Sequence, residues 1–151
     1  MERPLNYSWI LPGRLAVGET PVPLAQLVSL GFRGVLNLQE RSEPQCEEPP
    51  PKGLSCRQVP IRDGIVGGVP SLDQLESAVE ALRNLIDAGL PTYVHCYAGV
   101  GRSPTVCMAY LARVEGLSPD AAYRQVVSAH PPTAPTEGQL WALAEFLAAA
   151  E

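Results

Sequence analysis

Apolar positions along the chain fall into runs of two kinds. Leu15-Ala16-Val17, Val35-Leu36-Asn37-Leu38, Gln58-Val59-Pro60-Ile61 and Thr92-Tyr93-Val94-His95 are short and rich in β-branched or aromatic residues, which predicts strands. Elsewhere the apolar residues recur at helical spacing. Leu24, Leu27 and Val28 predict a short helix that Gly31 ends. From Ser71 to Ala88 the pattern is firmer: Ser71 and Gln74 form a capping box, Leu72, Leu75, Val79, Leu82 and Ile86 share a face, and Gly89 follows as a left-handed cap.

Beyond residue 103 the chain reads as helical almost throughout. Pro104 suits a first turn, and Val106, Cys107, Tyr110, Leu111 and Val114 keep the spacing as far as Gly116. Ser118-Pro119 opens another helix, which His130-Pro131-Pro132 stops. Thr136 and Gln139 are a second capping box, starting a last helix with Leu140, Leu143 and Leu147. The segment Ser42 to Gly53, with three glutamates and four prolines, reads as an exposed loop. Strands early, helices late and long crossovers predict a single α/β domain over residues 1–151, built on a small, largely parallel sheet flanked by helices.

The 151 residues suit one core without a metal or disulfide staple. A net charge of −5 lacks the basic footprint of a nucleic-acid binder and offers no polybasic segment to an anionic membrane. No apolar run approaches the ~18 residues of a membrane span, and Met1 to Leu5 do not open a signal peptide. The four cysteines, Cys46, Cys56, Cys96 and Cys107, form no CxxC pair, so free thiols and a cytoplasmic location are expected.

Three of these cysteines have an arginine six positions on: Cys56 and Arg62, Cys96 and Arg102, Cys107 and Arg113. Such spacing serves phosphate chemistry only when the five residues between wrap into a cradle. The first pair lies in extended sequence, which separates its ends by about 20 Å. The third lies in a helix, a rise of about 9 Å with the side chains aimed differently. Only Cys96 to Arg102 follows a strand, contains Gly99 and Gly101, and runs into a helix start, the arrangement that makes an anion nest. There the amides of Tyr97, Ala98, Gly99, Val100, Gly101 and Arg102 can bind a phosphoryl group, and the Arg102 guanidinium can hold two of its oxygens. The helix N-terminus and Arg102 favour the Cys96 thiolate, and Ser103 can donate a hydrogen bond to the sulfur when it leaves.

The segment Val94-His95-Cys96-Tyr97-Ala98-Gly99-Val100-Gly101-Arg102-Ser103 resembles the signature loop of cysteine-dependent protein tyrosine phosphatases, and the short chain is similar to their compact, atypical dual-specificity branch. The resemblance implies metal-independent, cofactor-free hydrolysis of phosphate monoesters through a cysteinyl-phosphate intermediate. It implies a general acid on a loop about 30 residues before the cysteine. Of the four aspartates, Asp73, Asp87 and Asp120 lie in helix-end turns, and Asp63 alone follows a strand, entering the loop Gly64 to Gly68. Asp63 is therefore the candidate acid, on a loop unusually rich in glycine that can close as a lid.

His95 is expected to tune the loop by hydrogen bonding, His130 to end a helix, Gln139 to serve its capping box rather than position water, Cys107 to sit in the core, and Trp9 and Trp141 to pack. Pairing of Cys46 with Cys56, or of Cys96 with Cys107 on oxidation, stays open. The expected partner is a phosphorylated protein, phosphotyrosine first, with no nucleic acid and no membrane, and the chain is expected to be a monomer. The signature loop carries no added basic residue, which favours a simple monoester over a polyanion. The alternatives are a phosphatase for a lipid, nucleotide or small metabolite, a catalytically silent phospho-binding module, and a sulfurtransferase, against which the Arg102-Ser103 ending argues.

Overall fold

Five strands, β1 (Tyr7–Leu11), β2 (Leu15–Gly18), β3 (Gly34–Asn37), β4 (Ser55–Gln58) and β5 (Thr92–His95), form one sheet in the order β1-β2-β5-β3-β4. The computed structural model describes residues 4–21, 23–44 and 49–149. β2, β5, β3 and β4 run parallel, and β1 joins antiparallel at one edge. The expected α/β architecture is therefore present, with one antiparallel edge strand that the apolar pattern did not announce. β1 is half exposed, so its residues lack the continuous apolar signature of a strand covered on both faces.

The central strands have that signature for a physical reason. Leu15, Val17, Leu36 and Val94 face a large core shared with Leu75, Leu82, Val106, Leu111 and Phe146. Ala16, Val35 and Tyr93 point the other way, into a smaller aromatic core with Leu27, Phe32, Tyr7 and Trp9. The larger core is roofed by α2 (Leu72–Asp87), α3 (Arg102–Arg113), α4 (Pro119–Ala129) and α5 (Glu137–Ala148), with α3 packed against the other three. The short α1 (Ala25–Ser29) supplies Leu27 to the opposite face.

Both capping boxes are formed: Ser71 Oγ accepts from the Gln74 amide at 3.0 Å, and Thr136 Oγ1 from the Gln139 amide at 3.0 Å. Two boundaries move. The strand expected over residues 58–61 lies at Ser55–Gln58, in register with β3. Val59 and Ile61 still donate to the Asn37 and Leu38 carbonyls, but Pro60 between them brings no N–H, so the regular ladder stops at Gln58. The helix expected from Pro104 starts two residues earlier, at Arg102.

Trp9 stacks on Phe32 at 5.1 Å as a packing residue, whereas Trp141 is largely exposed. Cys56, Cys96 and Cys107 are free thiols, and Cys107 is fully buried as expected. Cys46 lies outside the described residues, and with it the Cys46–Cys56 question. Among the described residues no helix is long and apolar enough to cross a membrane.

Candidate active site

β5 ends at His95 and α3 begins at Arg102, so residues 96–101 span the gap between the end of a central strand and a helix N-terminus. Gly99 has a left-handed φ of 75°, and a side chain there would lie 2.6 Å from the Gly18 carbonyl at the end of β2. At Gly101 an added Cβ would lie 2.8 Å from Gln139 Oε1. Gly99 is required both by the backbone beside it and by its own backbone angle, whereas a side chain at Gly101 would have to displace the Gln139 amide.

The loop's carbonyls are held from outside. Cys96 O lies 2.9 Å from the Thr20 hydroxyl and accepts from His95 Nδ1 at 3.2 Å. Tyr97 O accepts from the Thr20 amide at 3.1 Å, Gly99 O from His130 Nε2 at 2.9 Å, and Val100 O from the Ala134 amide at 2.8 Å. Each peptide is planar with its N–H opposite its C=O, so an outward carbonyl turns the next residue's amide inward. That places the amides of Tyr97, Ala98, Val100 and Gly101 on the inner side, where none donates to another described residue. An inward ring of amides at a helix N-terminus is an anion cradle.

Cys96 opens this loop and Arg102 closes it, 3 % and 2 % exposed. The Arg102 guanidinium donates to both carboxylate oxygens of Glu43, each at 2.6 Å, and to the Ile61 carbonyl at 2.8 Å. Its second terminal nitrogen faces Asp63 Oδ2 at 3.3 Å. Burial works against both charges of the Arg102–Glu43 pair. At Arg102 the hydrogen bonds to Glu43, together with the charges at Cys96, Glu43 and Asp63, outweigh it and raise the guanidinium. At Glu43 the hydrogen bonds from Arg102 and the Glu40 amide, together with the Arg102 charge, outweigh it and lower the carboxyl. Burial pulls the His95 ring down to about 4, with the Arg102 charge adding to the effect and the Cys96 carbonyl opposing it, so His95 is neutral near pH 7.

The sequence-predicted residues do converge. Asp63 sits beside Arg102, and it also caps a single 3-10 turn (Gly64–Val66), Oδ1 accepting from the Ile65 amide at 3.2 Å. Its glycines have local reasons: Gly67 takes a left-handed φ of 82°, Gly68 lies tight against the Arg62 carbonyl, and a Cβ on Gly64 would meet Gln139 Nε2 at 2.8 Å. Ser103 is fully buried, but its hydroxyl makes no hydrogen bond, so the expected donation to the Cys96 sulfur is not formed in this arrangement. The rejected pairs serve elsewhere. Arg62 is exposed, while Arg113 lies over the Phe146 ring at 3.9 Å and bonds Glu76.

Glu43, Thr20 and His130 were not legible as site residues. Glu43 belongs to a stretch that reads as a solvated acidic loop, and only the buried cation it clamps reveals its place. A groove of about 830 Å³ lies beside the loop, lined among others by Tyr97, Ala98, Glu19, Thr20 and His130; among the described residues its wall carries no basic side chain other than the neutral His130 ring. Among the described residues no group of three or more histidine, cysteine or acidic side chains is arranged to hold a metal ion.

Comparison with known proteins agrees with this geometry. Residues 16–148 match the family model described as dual specificity phosphatase, catalytic domain. The phosphatidylglycerophosphate phosphatase PTPMT1 of Arabidopsis thaliana is 32 % identical over 134 residues, 87 % of this chain and 40 % of that protein. The phosphatidylglycerophosphatase and protein-tyrosine phosphatase 1 of Homo sapiens is 33 % identical over 117 residues, 76 % of this chain and 58 % of that one. The chain thus spans less than two thirds of either relative's length. Among solved structures, PTPMT1 in complex with PI(5)P superposes with a TM-score of 0.80 at 27 % identity, covering 95 % of each chain. Human DUSP28 gives a TM-score of 0.78 at 29 % identity, covering 95 % of this chain and 96 % of that one. With a buried cysteine and arginine at the two ends of an amide-lined cradle and a family match across nearly its whole length, this chain belongs to the dual specificity phosphatase catalytic-domain family.

Proposed function

We propose that the protein hydrolyses phosphate monoesters through a phosphocysteine, and that its first substrates are phosphorylated side chains of proteins, phosphotyrosine above all. One observation carries the reading: Cys96 and a carboxylate-clamped Arg102 bracket a cradle of unpaired amides, with Asp63 facing the same guanidinium. In this mechanism the substrate's phosphoryl oxygens take the amides and displace Asp63 from Arg102. The Cys96 thiolate attacks phosphorus, the ester oxygen leaves, and Asp63 gives it a proton. Water then attacks the phosphocysteine, Asp63 takes the water's proton, and the sulfur departs as thiolate. The unpaired Ser103 hydroxyl supports a donor role toward that departing sulfur, since a buried hydroxyl with no partner carries a desolvation cost that an ionised acceptor would offset.

The groove beside the loop, whose charged side chain among the described residues is Glu19, supports a substrate bearing one phosphate rather than several. A second reading, a phospholipid monoester, is favoured by the likeness to the two phosphatidylglycerophosphate phosphatases and by the exposed apolar residues Ile65, Val66 and Val69 beside Asp63. Hydrolysis of p-nitrophenyl phosphate by the parent and by Cys96→Ser tests the chemistry: turnover that survives the substitution overturns it. Competition between phosphotyrosyl peptide and phosphatidylglycerophosphate vesicles in one assay ranks the carriers. Parallel expectations are a cytoplasmic monomer that needs no metal or cofactor. Light scattering, cell fractionation and assay in chelator check them in turn.

A further inference from the structure

The peptide between Gly99 and Val100 turns about ψ of Gly99 and φ of Val100. Gly99 has no Cβ to restrict ψ on its side of that peptide, so the outward turn of the carbonyl, and with it the aim of the Val100 amide, depends in part on what the carbonyl bonds. The group that decides is distant in sequence. His130 caps the C-terminus of α4, is nearly buried, and donates from Nε2 to Gly99 O at 2.9 Å. Its other nitrogen, Nδ1, lies 2.7 Å from Ser8 Oγ on β1. A neutral imidazole has one donor and one acceptor, and these two partners match them: Gly99 O takes the Nε2 proton and Ser8 offers its hydroxyl proton to Nδ1. Burial keeps the ring neutral against the pull of the Gly99 carbonyl.

The ring's own backbone is fixed in turn. The Thr133 amide and hydroxyl both donate to the His130 carbonyl, at 3.0 and 2.7 Å, and the Ala134 amide continues onto Val100 O at 2.8 Å. From this geometry we infer that His130, oriented by Ser8, is a positioning residue that sets the Gly99–Val100 peptide and so aims the Val100 amide at the bound oxyanion. The inference rests on the phosphatase reading for its relevance to turnover, but it concerns oxyanion binding itself.

Vanadate and inorganic phosphate fill the cradle without entering the neighbouring groove, which makes them the probes. Their inhibition constants are measured for the parent, His130→Leu, His130→Gln and Ser8→Ala, together with KM and kcat for a phosphotyrosyl peptide and the phosphate-induced shift of the Val100 amide by NMR. His130→Leu keeps bulk and loses the donor, and is expected to weaken both inhibitors about three- to tenfold and to shrink the Val100 shift. His130→Gln, which can still donate to Gly99 O, is expected to restore most of the affinity. Equal weakening in His130→Leu and His130→Gln, or a change in peptide KM with vanadate inhibition untouched, overturns the inference, because the ring would then be packing or a groove wall. Should His130→Leu fail to fold, Ser8→Ala decides: a two- to threefold loss is expected and unchanged affinity is the contrary result. A parent that binds phosphate but turns over nothing spares the positioning role and overturns only the catalytic reading. A parent that binds no oxyanion overturns both.

Discussion

The cradle loop and the acid loop are both glycine-rich, yet they are held in opposite ways. The cradle is anchored at its ends by the buried Cys96 and Arg102, and its carbonyls are pinned by Thr20, His95, His130 and Ala134, from three different regions of the chain. The acid loop's backbone hydrogen bonds close on the loop itself. The amides of Val66 and Gly68 return to the Asp63 carbonyl and that of Gly67 to Gly64, while Ile65 at its tip is 90 % exposed. Oxyanion binding is thus prearranged by the tertiary structure, because amide dipoles stabilise charge best when they need not reorganise. The acid's backbone is carried by one local turn at the surface, and only its carboxylate, facing Arg102, meets the rest of the site.

Substitutions at the two ends of the cradle should show the largest effects. Cys96→Ser is expected to cut p-nitrophenyl phosphate turnover at least about a thousandfold, and Arg102→Lys, which loses the planar fork, by about a hundredfold or more. On the acid loop, Asp63→Asn is expected to lower kcat about a hundredfold and to alter the pH–rate profile, with less effect on vanadate inhibition. An unaltered profile would remove Asp63 from its role and leave the contrast with one working member.

The Glu43 clamp belongs to the buried side of the contrast, so its loss should register as stability. Glu43→Gln leaves the Arg102 charge poorly compensated, and a cost of about 1–2 kcal/mol is expected, allowing for the partial exposure of Glu43. The melting temperature should fall by about 5 °C. Inorganic phosphate should restore more of that loss than it adds to the parent, since the ligand supplies the missing anion.

The buried histidines that hold the loop should also impose a pH dependence. An unfolded chain protonates His95 near 6.5, whereas the folded ring resists until about 4, so stability falls as pH drops through that window. The share due to His95 is on the order of 3 kcal/mol across the full range. His130, also lowered by burial, adds to the same fall, and the Glu43 pair is lost only below the ordinary carboxylate range. Urea unfolding of His95→Asn between pH 7 and 5 should show a flatter slope than the parent; an identical slope would contradict the assignment. Smallest of all, Ile65→Ser at the exposed tip should change stability by less than about 0.5 kcal/mol, as thermal melting will show.

Legibility followed the range of the forces involved. The capping boxes at Ser71 and Thr136 need only a residue and its neighbour three positions on, and both were readable. Strands covered on both faces announced themselves as apolar runs, whereas the half-exposed β1 did not. At the site, Cys96 and Arg102 could be read because strand, glycines and helix start are consecutive in the chain. Glu43, Thr20 and His130 could not, since each acts on the loop across more than 30 residues of sequence. Ser103 was expected to donate to the sulfur, and its buried hydroxyl instead stands without a partner.

The order of residues alone determined which stretches become strand, loop and helix around Cys96, because backbone freedom at Gly99 and Gly101 and the start of α3 are local properties. Which way each peptide of that loop faces, and which carboxylate holds the arginine, was decided only by packing. Those choices depend on donors and acceptors that the sheet, the α4–α5 turn and the loop after β3 bring within 3 Å of one another, and no pattern along a single segment encodes such a meeting.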